Sequence, residues 1–337
     1  MRITVIYRGR PTDSPPLGQG LKDRETTHAS ATGYLHLLKE LEALGHSVAI
    51  YSPQAPEQAS SFPLTDSLDA DLVLLWKQRG ASTVEELGLD LSGSRVAAWC
   101  DARHLITETT PDLIMWGTKR IAARNASKWP RSRHAVVEHA ANVPPIPVPM
   151  AATTEAGLYL GRLPAPYLAA VQEVARVSPV TAYALKVDKP QAGFWNLRPG
   201  MYSSRHMAAA QAYVGHRVRL CPAVNAAACA EALATFAFGV VAAASRRPQD
   251  LSASKAFDYW ALGLPVLIDD AVPEAEHLSG GPWVGESFSI DRPETIVPAL
   301  QRIKQRDSLS ARAAILAWSK ANHTYKQRAR EIHGLIT

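Results

Sequence analysis

Asp250 and Asp258 stand eight positions apart and bracket Ser252, Ser254 and Lys255. The pattern that follows predicts a helix over 254–262, so the bracket spans a helix start. Such a start offers unbonded backbone N–H groups and the positive end of a dipole, which together attract an anion. Ser252 or Ser254 has the short hydroxyl side chain that caps it. Lys255 falls in the first turn, where the dipole disfavours a cation, and a phosphate in front of it would explain its place. Asp258, one turn on, could accept hydrogen bonds from ribose hydroxyls. These residue types at this spacing point to the grip of a nucleotide. An ordinary capped helix with surface charges is the competing reading.

Other chemistry gathers where apolar runs end. Asp101 and His104 follow the run at 95–99. The carboxyl end of a strand is where open α/β sheets collect ligands, and either residue could act as a base or orient an acceptor. His28 lies beside the start of the first helix and could reach an acceptor or a phosphate. Asp269 and Asp270 are adjacent, and no Asp-x-Asp pair flanked by strand residues stands out. The chemistry expected is therefore metal-independent.

These groups must be carried by elements, and the hydrophobic pattern supplies them. Strands are predicted over 3–7, 47–51, 71–75, 95–99, 113–115 and 135–138, with a helix over 31–44 whose Leu35, Leu38, Leu41 and Leu44 share a face. Gly45 closes that helix. Four prolines fall within 143–149, which can continue neither helix nor central strand. This run is read as a linker. A second series follows: strands over 157–161, 180–185, 238–242 and 265–268, with helices over 168–177, 226–234, 254–262 and 271–277. The tail over 294–333 reads as helical, interrupted early by Pro298. Strand–helix alternation implies parallel sheets. The expected architecture is α/β: a Rossmann-like unit over 1–143, a linker over 144–153, a second such unit over 154–317 and a C-terminal helix over 318–337 that crosses back, with a cleft between the units.

Bulk properties narrow the class. A chain of 337 residues suits two domains. With 47% hydrophobic and 20% charged residues it is neither disordered nor fibrous. No apolar run reaches the length of a membrane span, and the N-terminus reads straight into a strand. Cys100, Cys221 and Cys229 are too scattered for a disulfide framework or a zinc site. A cytoplasmic location is expected, with peripheral membrane contact as an option. The net charge of +5 leaves nucleic acid, an anionic membrane or a phosphate-bearing small ligand open as partners. Lys119, Arg120, Arg124, Lys128, Arg131 and Arg133 fall in a stretch without an acid, interleaved with Trp129. That stretch could contact DNA or an anionic membrane, or be a solvated face.

The segment from Asp250 to Val266, with its spaced acids and Ala261-Leu262-Gly263-Leu264-Pro265-Val266, resembles the C-terminal signature of retaining GT-B glycosyltransferases of the glycogen-synthase-like and sucrose-synthase-like group. That group carries Glu where this chain has Asp. Gly157–Leu163 is similar to the strand and loop that open the family's C-terminal domain. The resemblance implies that Asp250 contacts the donor sugar, Asp258 the ribose, and Arg162 the diphosphate. Leu163 to Pro166 stand where the family has a further lysine, so Lys186 or Lys255 would replace it, Lys255 in preference. It also implies Gly18 and Gly20 near the phosphates, and Pro222, Val224 and Asn225 in a base-binding loop before a helix. The activity implied is transfer of a sugar, with retention, from a nucleotide-diphosphate sugar (UDP first) to a glycan, lipid, small molecule or hydroxymethylated DNA base, with no separate cofactor. A non-catalytic nucleotide or nucleic-acid binder, or a nucleotide-sugar epimerase, are the alternatives.

Overall fold

The computed structural model describes residues 1–6, 29–51, 62–76, 84–100, 109–189, 193–198, 200–243 and 254–337. Of these, Met1–Ala140 and Tyr325–Thr337 form one compact unit and 141–324 the other.

The first unit is built on a seven-stranded sheet: β1 (Arg2–Ile6), β2 (Ser47–Tyr51), β3 (Leu64–Thr65), β4 (Leu72–Trp76), β5 (Val96–Cys100), β6 (Leu113–Trp116) and β7 (Arg133–Val136). The order is β3-β2-β1-β4-β5-β6-β7, and every pairing is parallel. The runs LVLLW, VAAWC and LIMW are buried at every position, as strands covered on both faces must be. Helix α1 (Ala29–Ala43) buries Leu37, Leu38 and Leu41 against this sheet. Helix α2 (Lys119–Asn125) starts at Thr118, whose Oγ1 accepts the Ile121 N–H at 3.1 Å.

The second unit repeats the plan: β8 (Gly157–Leu163), α3 (Ala165–Val177), β9 (Val180–Asp188), β10 (Phe194–Asn196), α4 (Ser204–Val214), β11 (Val218–Pro222), α5 (Ala230–Leu233), β12 (Phe238–Val241), α6 (Lys255–Ala261), β13 (Val266–Asp269), β14 (Gly285–Phe288), α7 (Ile296–Arg306) and α8 (Leu309–Asn322). Strands β11, β9, β8, β12, β13 and β14 lie side by side in parallel, and β10 folds back antiparallel on the overhanging end of β9. Both sheets thus have the same order, with the reversal beside their first strand. The proline run belongs to this unit. Val143 and Ile146 are buried there, and the Ile146 N–H donates to the Ala261 carbonyl at 3.1 Å. Pro298 does not interrupt a helix. It occupies the first turn of α7, where its missing N–H would have had no partner.

The last helix, α9 (Tyr325–Ile336), returns to the first unit. Tyr325, Ala329, Ile332 and Ile336 are buried in one cluster with Leu37, Leu38 and Leu41 of α1. Trp318 lies on α8, which ends at Asn322, so the expected helix over 318–337 is broken at 323–324.

Candidate functional site

In the second sheet the direction of winding reverses between β8 and β12, and the carboxyl ends of strands at such a reversal form a ligand crevice. Gly161 sits there, at φ +111°, and the register of β8 against β9 slips between Gly161 and Arg162. A Cβ at Gly161 would stand 2.8 Å from Cε of Lys255. The backbone angle calls for glycine, and a Cβ there would also displace the end of the Lys255 side chain.

Lys255 is the first residue of α6 and is half-buried. Its Nζ lies 5.6 Å from the ring centre of Tyr167 and 5.8 Å from that of Tyr159. Burial lowers its pKa; the carboxylates of Asp258 and Glu274 oppose that shift and the charge of Arg162 adds to it. The helix beneath it is anchored on strands β8 and β12 and on the residue just before β14. The Leu160 N–H donates to the Tyr259 hydroxyl at 2.9 Å, the Tyr259 ring covers Gly239, and Trp260 Nε1 donates to the Val284 carbonyl at 3.0 Å. Position 255 therefore inherits the rigidity of a packed core.

Asp258 is buried, and Oδ1 accepts the N–H groups of Asn142 at 2.6 Å and Val143 at 3.2 Å. Burial nonetheless pushes its pKa up to about 6. The carboxylate read as a ribose contact thus also holds the chain at 142–143. Ser254 occupies the cap position with a helical backbone and no side-chain capping bond. Glu274, only 3% exposed, and Asp269, fully buried with Oδ1 accepting the Ala271 N–H at 3.1 Å, escaped the sequence reading as site groups. Burial raises Asp269 to about 6 as well. A carboxylate at the end of an apolar strand was the one signal for Asp269; Glu274 had none.

Arg162 is exposed at the end of β8. Pro222 ends strand β11, which corrects its reading as a loop residue; the strand holds because Pro222 lies at its last position. Val224 packs half-buried on the core, and Asn225 Oδ1 caps the following turn through the N–H groups of Ala227 and Ala228. Lys119, Arg124, Lys128, Arg131 and Arg133 are exposed and Arg120 half-buried. Lys128 Nζ donates to Asn125 Oδ1 at 3.0 Å. Gly18, Gly20, His28, Asp101, His104, Asp250 and Ser252 lie outside the described residues. Among the described residues no group of three His, Cys, Asp or Glu could hold a metal, and no helix is long and apolar enough to cross a membrane.

No family profile and no curated protein matches the chain. Solved structures do. AviGT4, a glycosyltransferase involved in avilamycin A biosynthesis, is 13% identical at a TM-score of 0.61, over 99% of this chain and 96% of that one. A trehalose-6-phosphate structure from E. coli bound with UDP-2-fluoro glucose is 10% identical at 0.60, over 100% and 99%. WaaG, a glycosyltransferase involved in lipopolysaccharide biosynthesis, is 12% identical at 0.54, over the full length of both chains. At such identities the likeness establishes the fold: two Rossmann-like units in one chain, the GT-B fold.

Proposed function

We propose that this GT-B chain is a glycosyltransferase that takes a nucleotide-diphosphate sugar and seats the donor diphosphate at Lys255 and Arg162. The observation that carries the reading is Lys255 itself: a cation fixed on a packed helix, threaded past a glycine, at the reversal point of the sheet. A diphosphate leaving group gains negative charge as the sugar–oxygen bond breaks, and fixed cations stabilise that charge without reorganising. An anion at Lys255 also favours the ammonium form that burial opposes. Asp258 has acceptor capacity beyond its two backbone bonds, and the ribose hydroxyls are its proposed partners. Asn225 and Val224 would line the base.

The rest of the proposal follows from the resemblance and the charges. Transfer proceeds with retention, the acceptor approaching the face from which the diphosphate departs, and the cations serve in place of a metal. Asp101, His104 and His28 remain the proposed acceptor-side groups, and Asp250 the sugar contact. The exposed basic stretch from Lys119 to Arg133 is the proposed contact for an anionic acceptor.

One solved structure of this fold holds UDP-2-fluoro glucose, so UDP-sugars head a thermal-shift panel that also includes GDP-, ADP- and TDP-sugars. At a hundredfold excess over Kd the right donor stabilises the folded state by about 2.7 kcal/mol, a rise of roughly 5–10 °C for a unit of this size. Hydrolysis of that donor, with and without EDTA, follows on the best hit. No stabilisation by any nucleotide would remove the donor reading.

A further inference from the structure

We infer that the β9–β10 hairpin completes the donor seat, with Lys186 and Arg198 as further contacts to the diphosphate beyond Lys255 and Arg162. The inference rests on the donor reading above and extends it to an element that reading does not use.

Register sets the placement. Lys186 lies opposite Arg162 of β8 and opposite Asn196 of β10. Its Nζ stands 3.8 Å from the ring centre of Phe194, a side chain that is 43% exposed. After β10 the chain is clamped on both sides: the Leu197 N–H donates to the Leu185 carbonyl at 3.0 Å, and the Ala223 N–H donates to the Leu197 carbonyl at 3.1 Å. Arg198 follows directly, its own N–H on Asn196 Oδ1 at 3.3 Å. The hairpin therefore carries two cations between Arg162 and residues 222–225, along the line a nucleoside diphosphate would occupy from phosphates to base.

Charge points the same way. The groups acting on Lys255 include two carboxylates, Asp258 and Glu274. Burial presses the pKa of Lys186 down first, and the charged groups that add to this are two guanidinium groups, Arg198 and Arg162. Cations gathered at one strand end repel one another, and an anion among them reverses the sign of that term. Two carboxylates beside Lys255 leave part of a diphosphate's charge for other cations to offset, and the hairpin supplies them.

Calorimetric titration of UDP, GDP, ADP and TDP into the parent chain, Lys186→Gln, Arg198→Gln and the double variant tests this, with pyrophosphate as the base-free probe. Each single change should weaken the best nucleoside diphosphate by roughly tenfold or more, the double change further, and pyrophosphate in parallel. Lys186→Arg should keep the affinity within about threefold, since the charge is retained. A double variant that binds as the parent does overturns the inference while leaving the donor reading in place. So does loss of binding in Lys186→Arg equal to that in Lys186→Gln with a lowered unfolding temperature, which marks a structural role. If no member of the panel binds the parent chain, the donor reading fails and this inference with it.

Discussion

Lys255 and Asp258 share a turn of helix, and each alters what the other's charge costs. Burial penalises both charged forms, and Asp258 rises from 3.8 to about 6. The folded chain therefore holds a proton there that the unfolded chain has already released over the window between those values. The stability this contributes is complete below about pH 4 and is lost as pH rises through 6. Asp269 behaves alike, also rising to about 6. Denaturant unfolding of Asp258→Asn, which keeps an acceptor for Asn142 but cannot titrate, should show a smaller fall in stability between pH 4 and 7 than the parent. Asp258→Ala instead strands two backbone N–H groups and should cost about 2–4 kcal/mol. An Asn variant with the parent's pH dependence would take Asp258 out of the account. At this scale Lys255 was legible because a cation in a first helical turn breaks a rule. The bonds from Asn142 and Val143 to Asp258 were not, because they span more than a hundred residues and leave no spacing behind.

Elements decide whether the side chains meet. Helix α6 is seven residues long, too short to stand on its own propensity. It holds its place through Tyr259 over Gly239 and Trp260 on Val284, and it delivers Lys255 across Gly161. Gly161→Ala should strain the backbone at φ +111° and push the lysine aside. We expect a stability loss of about 1–2 kcal/mol and nucleotide affinity reduced roughly tenfold or more, read by denaturation and calorimetry on the same sample. Affinity kept despite the stability loss would mean that Lys255 need not pass that point. The fully buried strands were read from continuous apolar runs. Strands β10 and β14 are three and four residues long and carry too little pattern. Helix α4 is rich in alanine, so its apolar face is faint; its one clear mark was Ser203, whose Oγ accepts the His206 N–H at 3.2 Å.

Over the whole molecule, the described residues pass between the units near 140 and again near 324. Within the second unit the two passages are tied by the Ala141 N–H on the His323 carbonyl at 3.0 Å. Strand–helix alternation implies a parallel sheet, and each unit is built on one, which is why the fold was legible in the sequence. The acceptor was not, because no spacing of residues encodes it; of the groups expected to meet it, His28, Asp101 and His104 lie outside the described residues. The central claim, a diphosphate seat at Lys255, is tested most directly by comparing Lys255→Ala with the parent on the best nucleotide sugar from the panel, both folded by circular dichroism. The account predicts binding of the nucleoside diphosphate at least tenfold weaker and turnover lower by roughly 10²–10³. Parent-like binding and turnover in that variant would contradict it.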